Sequence, residues 1–219
     1  AVKDADLVIE AVPENPKVKI SFYTELAKVA PEKTVFVTNS STLLPSQFAE
    51  STGRPSKFLA LHFANNIWIS NTAEVMGHPG TDTKHFEDVV EFAKSIGMIA
   101  LPLYKEQAGY LLNSLLVPLI SAATDLLMKG VADHETIDKT WMIGSGAPVG
   151  PFGILDIIGM TTAYNINLMT AEKTKNPLKI KTAEYMKEHF IDKNKLGVMT
   201  GEGFYKYPNP AYKNEDFLK

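Results

Sequence analysis

His62 and Glu74 are the residues in this chain whose types and spacing first suggest chemistry. His62 stands near the end of the apolar run in FLALHFANN, and Glu74 opens a second apolar run, AEVM, twelve residues later. A neutral imidazole at a strand end can take up a proton near physiological pH. A carboxylate entering a buried strand is costly unless it is paired or hydrogen-bonded. The intervening loop is long enough to fold back and bring Glu74 to the far nitrogen of His62. Glu74 would then hold the tautomer and stabilise the imidazolium once a proton arrives. The same residues also fit a core histidine bonded to a carbonyl and a strand-edge glutamate in solvent.

Two other places carry polar groups of interest. TNSSTLL (38–44) collects hydroxyls and an amide at another strand end, which suits substrate or cofactor oxygens as well as helix caps and turns. Asn113 interrupts an apolar helical run, so its amide needs partners, from a second helix or from a ligand. Asn65 and Asn66 supply polar partners just beyond His62. His78, His85, His134 and His189 show no metal-ligand spacing and are expected at the surface, so no metal is expected. TGEGFYKYP (200–208) follows no strand and opens no helix. It reads as a tight turn that docks aromatic residues onto a core.

The elements that must position these residues follow from periodicity. DLVIEAV (6–12) has the continuous apolar pattern of a strand buried on both faces of a parallel sheet. Asn15 is placed to cap a helix whose first residue is Pro16, with Val18, Phe22, Leu26 and Val29 on its inner face and Pro31 closing it. Strands are expected at 34–39, 56–63, 73–77 and 98–103, with a short helix around 45–50. A helix over 81–96 turns Phe86, Val89, Phe92 and Ile96 inward, with Gly97 past its end. Strands alternating with amphipathic helices predict an α/β domain with a mainly parallel sheet over 1–105. Helical periods then dominate, with helices expected at 107–128, 133–143, 151–171 and 179–190, so 106–219 reads as an all-helical domain.

Composition narrows the function classes. The net charge of −3 offers no basic patch for nucleic acid. The absence of cysteine removes disulfides, thiolate zinc sites and cysteine nucleophiles, and fits a reducing, cytoplasmic compartment. The apolar run YLLNSLLVPLISAA is too short for a bilayer and is broken by Asn113 and Pro118, so no membrane is expected.

Taken in order, DLVIEAVPENPKVK, TNSSTL, ALHFAN followed by AEVM, AGYLLNSLLVPLISAA, GSGAPVGPFGILDIIG and TGEGFYKY resemble the 3-hydroxyacyl-CoA (3-hydroxybutyryl-CoA) dehydrogenase family along the whole chain. The resemblance implies the second half of a Rossmann-type NAD-binding domain followed by a helical domain for dimerisation and substrate. It also implies NAD-dependent oxidation of a 3-hydroxyacyl-CoA, or the reverse reduction, in fatty acid metabolism. His62 matches the family's catalytic base, Glu74 the carboxylate that orients it, Ser41 the serine at the reacting oxygen and Asn113 the asparagine that completes the site. Asn65 falls beside the substrate, and Ala11, Glu14, Lys19 and Asn39 fall where the family contacts NAD. A homodimer through the helical domain is the expected partner state.

The chain departs from the family in several places. It has no G-x-G-x-x-G turn, so a longer gene product is expected, and these 219 residues by themselves are expected to bind NAD weakly or not at all and to expose an apolar sheet edge. NIWISNT replaces a proline-rich loop, Ala108 replaces a proline and Ser114 an arginine. These changes keep open a free hydroxy acid or sugar acid as substrate, or a non-enzymatic binding or structural member of the fold.

Overall fold

A computed structural model describes residues 2–65 and 67–219. Ala1 and Asn66 lie outside the described residues, and with Asn66 goes one of the two amides expected beyond His62. The chain divides into two compact units, Ala1–Leu115 and Leu116–Lys219, rather than at 105/106. The first turn of helix α3 (Tyr110–Met128) thus belongs with the sheet unit, because its backbone donors are held by Glu74.

The first unit contains β1 (Leu7–Glu10), α1 (Pro16–Val29), β2 (Val35–Thr38), β3 (Phe58–Phe63), β4 (Thr72–Met76), α2 (Thr83–Ser95) and β5 (Ile99–Leu103). Short 3-10 turns fill the stretch between β2 and β3. The sheet order is β1-β2-β3-β4-β5, and β3 with β4 is its one antiparallel pair. Alternation along the strands sends residues to opposite faces. Val35, Val37, Leu59, Leu61, Ala73 and Val75 pack beneath Val89 and Ala93 of α2. Phe36 and Phe58 face the other way, against Tyr23 and Leu26 of α1. Each large apolar side chain buried this way contributes about 1.5–3 kcal/mol.

Several expectations need correction. β1 is shorter than 6–12 and only half-buried, with Ile9 exposed, because it ends the strand order with β2 alone beside it. Asn15 caps α1 as expected, accepting the Lys17 and Val18 N–H groups. The buried face of α1, however, is Lys19–Tyr23–Leu26, while Val18 and Val29 are exposed. A buried acid on β1 sets that rotation, as described below. Ile96 caps α2 and is also exposed. The four histidines expected at the surface are all half-buried.

The second unit is helical: α3 continues into it, followed by α4 (His134–Ser145), α5 (Pro151–Ile158), α6 (Met160–Thr174) and α7 (Pro177–Met186), which ends in a wider turn over Lys187–Ile191. The single helix expected over 151–171 is two. Gly159, at φ +95°, takes a conformation that helical residues cannot, and the chain turns there. Pro118 removes one backbone donor without ending α3. The whole helix is 19 residues, longer than the run counted from sequence, and is long and apolar enough by length and composition to cross a membrane.

The core of this unit gathers Phe152, Leu155, Met160, Met186, Phe190 and Tyr205. Two buried carboxylates, with no ion-pair partner among the described residues, organise it. Asp138 accepts the Phe152 and Gly153 N–H groups at the start of α5, together with the Tyr205 hydroxyl. Asp156 holds the turn at 200–208, which docks its aromatic residues as expected.

Candidate active site

The antiparallel pairing of β3 with β4 sets His62 directly opposite Glu74, and strand alternation puts both on the face away from α2. Both side chains are buried, and His62 Nδ1 lies 3.0 Å from Glu74 Oε2. The other carboxylate oxygen accepts the N–H groups of Leu111 (2.8 Å) and Leu112 (3.0 Å). These are unpaired donors of the first turn of α3, where a negative charge is also favoured by the helix dipole. With both oxygens acting as acceptors, the hydrogen-bond network assigns the shared proton to Nδ1 of His62, which leaves Nε2 unprotonated and able to accept. Nε2 faces the Ser41 hydroxyl at 3.2 Å.

Ser41 lies just beyond β2, in a loop fastened from below by Glu14. Glu14 Oε1 accepts the Ser40 hydroxyl (2.6 Å), the Ser41 N–H (3.1 Å), and the Thr42 N–H and hydroxyl (both 2.9 Å). Burial works against the Glu14 charge. The donors from Ser40 and Thr42 and the Lys19 ammonium outweigh it, so the carboxyl titrates below its usual range. Its stabilisation of the loop is therefore complete above the ordinary carboxylate pKa, about 4.3, and is lost as pH falls through the lowered value. Glu14→Gln should speed amide hydrogen exchange at Ser41 and Thr42 roughly tenfold at pH 7. The wild-type loop should show the same acceleration only in acid. Unchanged exchange in the variant would show that the loop holds itself.

Lys19 is fully buried, 2.7 Å from Glu10 Oε1 and 3.4 Å from Glu14 Oε2. Glu10 Oε2 accepts the Tyr23 (2.9 Å) and Thr38 (2.8 Å) hydroxyls, so the ion pair is desolvated but its oxygens are filled. Lys19 and Tyr23 stand one turn apart on α1, and their hold on Glu10 turns that face inward. Glu10, Tyr23 and Thr38 are missing from the expected site. The available signal was Glu10 itself, a carboxylate inside the apolar run LVIEAV.

The remaining expected residues are placed as follows. Ala11 is exposed just past the carboxyl end of β1. Asn39, just past β2, accepts the Phe63 N–H at 3.0 Å, which ties the ends of β2 and β3 together. Asn113 is half-buried on α3 and Asn65 is exposed beyond β3, and neither side chain bonds to a described residue. The carboxyl ends of the parallel strands β1, β2 and β3 thus bring Ala11, Glu14, Asn39, Ser41 and His62 to one edge of the sheet, where ligands of open α/β sheets bind. A dinucleotide fits this edge: Ala11 is exposed there, and the Asn39 amide nitrogen makes no bond to a described residue. Lys19 does not offer its ammonium to a ligand. It backs Glu14 from within. Among the described residues no cluster of side chains could hold a metal ion.

Comparison with known proteins adds independent findings. Residues 1–107 match the family described as 3-hydroxyacyl-CoA dehydrogenase, NAD binding domain, and residues 109–207 match the 3-hydroxyacyl-CoA dehydrogenase C-terminal domain. The hydroxyacyl-coenzyme A dehydrogenase, mitochondrial, of Homo sapiens is 38% identical over 207 residues, which are 94% of this chain and 65% of that protein. The chain thus spans 65% of the length of the mammalian relatives it matches. The 3-hydroxybutyryl-CoA dehydrogenase of Clostridioides difficile is 32% identical, with 94% of this chain and 72% of that protein covered. A solved structure described by its dual catalysis of dicarbonyl compounds, a diketoreductase, is 61% identical with a TM-score of 0.89, covering 94% of this chain and 71% of that one.

Proposed function

The chain belongs to the 3-hydroxyacyl-CoA dehydrogenase family, and from that premise we propose that the whole protein interconverts a 3-hydroxyacyl-CoA and its 3-ketoacyl-CoA. The observation that carries this reading is the His62–Glu74 hydrogen bond, which leaves Nε2 unprotonated and bonded to the Ser41 hydroxyl. In the oxidative direction Nε2 takes the proton of the 3-hydroxyl, and Glu74 steadies the imidazolium. In the reductive direction the imidazolium returns that proton to the ketone oxygen. Ser41 and Asn113 donate to the same oxygen as charge develops on it. Ala11, Glu14 and Asn39 hold NAD, with Lys19 supporting Glu14, and Asn65 contacts the substrate. When bound, NAD supplies the hydride acceptor.

A second reading is favoured by the 61% identity to the diketoreductase: the substrate is a dicarbonyl compound without the thioester. A 3-ketoacyl thioester is itself a dicarbonyl compound, so both readings use the same proton transfer and differ in whether CoA is required. NADH oxidation by the full-length protein separates them. The CoA reading expects kcat/KM for acetoacetyl-CoA at least tenfold above that for a free diketo ester, and the opposite order would replace it with the second. We also propose a homodimer in the cytoplasm. A second copy would cover the exposed Leu111, Leu112, Leu115 and Val117 of α3, and the cysteine-free composition supports the compartment.

A further inference from the structure

Tyr110 carries two costs at once. It is a bulky residue at φ +53°, a left-handed conformation that non-glycine residues avoid, and its hydroxyl is buried with no hydrogen-bond partner among the described residues. A phenylalanine would fill the same space beside Ala60, Met76 and Leu103 without the second cost. Burial, with the negative charges of Glu14, Glu74, Glu10 and Glu106 around it, pushes the phenol's titration well above its usual range, so it stays neutral. Backbone outliers that the surroundings hold in place cluster at functional sites.

The Tyr110 ring lies against the His62 imidazole, with centroids 4.7 Å apart and planes within 26°. His62 is otherwise held by two bonds in the plane of its ring, Nδ1 to Glu74 and Nε2 to Ser41. With the ring anchored through Cγ, its remaining motion is rotation about the Cα–Cβ and Cβ–Cγ bonds, which these two hydrogen bonds restrain and which bending of them permits over a small range. A flat group stacked on one face blocks that motion.

We propose that Tyr110 is a positioning residue for His62, holding the imidazole plane so that Nε2 meets the reacting oxygen in line. This rests on the reading of His62 as the acid–base group. The left-handed backbone at the start of α3 is what turns the ring onto the imidazole, while the following N–H groups of Leu111 and Leu112 hold Glu74. One helix start therefore orients both members of the pair.

The test uses Tyr110→Leu and Tyr110→Phe in the full-length protein. Removing the stack should lower kcat about 10–100-fold with KM changed less than threefold, since a small loss of alignment acts on the transition state. Tyr110→Phe keeps the stack and should restore kcat to within about threefold. In the full-length protein, 15N NMR of His62 should show one Nδ1-protonated tautomer in the wild type and the Phe variant. The same signals should be broadened by exchange in the Leu variant. The wild-type His62 ring protons should also be displaced upfield by the tyrosine ring current, a measurement that needs no variant to fold. Absence of that displacement, or Phe falling as far as Leu, would overturn the proposal. His62→Ala kinetics test the acid–base reading separately, so failure of one is distinguishable from failure of the other.

Discussion

Replacing His62 with glutamine in the full-length protein should lower kcat by about 10²–10⁴-fold, the usual contribution of a positioned general base or acid. Glutamine can still hydrogen-bond to Glu74 and Ser41, but it cannot take up a proton. A loss in this variant therefore reports proton transfer rather than packing. His62→Ala should show the same loss in kcat and an added loss of stability. It leaves Glu74 Oε2 buried and without its partner, while Leu111 and Leu112 still occupy Oε1. An unsatisfied buried acceptor costs about 1–3 kcal/mol. Stopped-flow NADH oxidation, with circular dichroism to verify folding, checks both variants. Turnover of His62→Gln within a few-fold of wild type would remove His62 from the chemistry.

The second large effect concerns stability and lies away from that chemistry. Asp156→Ala should destabilise the helical unit by about 2–4 kcal/mol in urea, with an unchanged m-value. Asp156 accepts the Phe204 and Tyr205 N–H groups, both at 2.8 Å, and the Tyr207 hydroxyl at 3.1 Å. Gly203 passes so near that a Cβ there would stand 2.1 Å from Asp156 Oδ1. Burial pushes the Asp156 carboxyl above its usual range, and the donors from Tyr205, Phe204 and Tyr207 only partly offset that effect. The folded state thus binds this proton more tightly than the unfolded state. The stabilisation is complete below the ordinary carboxylate pKa and declines as pH rises through the raised value. The loss in Asp156→Ala should therefore be greater at pH 4 than at pH 7. Asp216→Ala, at an exposed pair with Lys219, should cost less than about 0.5 kcal/mol and serves as the control. Equal midpoints for the two variants would show that Asp156 does not hold the turn.

Much of the fold was legible because its signals are short. The Asn15–Pro16 cap, the apolar runs of the strands and the glycine-rich turn with its aromatic residues are each set by a few neighbouring residues. Glu74 was legible as a residue in need of a partner because a carboxylate inside an apolar strand is costly. The same reasoning applied to Glu10 would have marked it as a residue in need of partners; that these are Lys19 and Tyr23, which fix the true inner face of α1, only the packed structure shows. Apolar periodicity alone turned that helix the wrong way, since Val18 and Val29 fit a hydrophobic stripe as well as Leu26 does. Gly159 likewise carries no local mark that separates a glycine tolerated within a helix from one that divides it.

The sequence by itself determined which segments become strands and helices, and it marked the few buried polar residues that must find partners. Tertiary structure alone decided who those partners are. Glu14 meets a hydroxyl 26 residues away and Asp156 an N–H 49 residues away. His62 meets Glu74 because β4 runs antiparallel to β3 in the one register that sets them opposite. The physical reason is range. Backbone preference and hydrophobic period act over a few residues, whereas a buried hydrogen bond depends on strand order and register, which no local segment specifies. Tyr110 is the limiting case: only the packed structure shows that its ring lies on the imidazole and that its hydroxyl has no partner among the described residues.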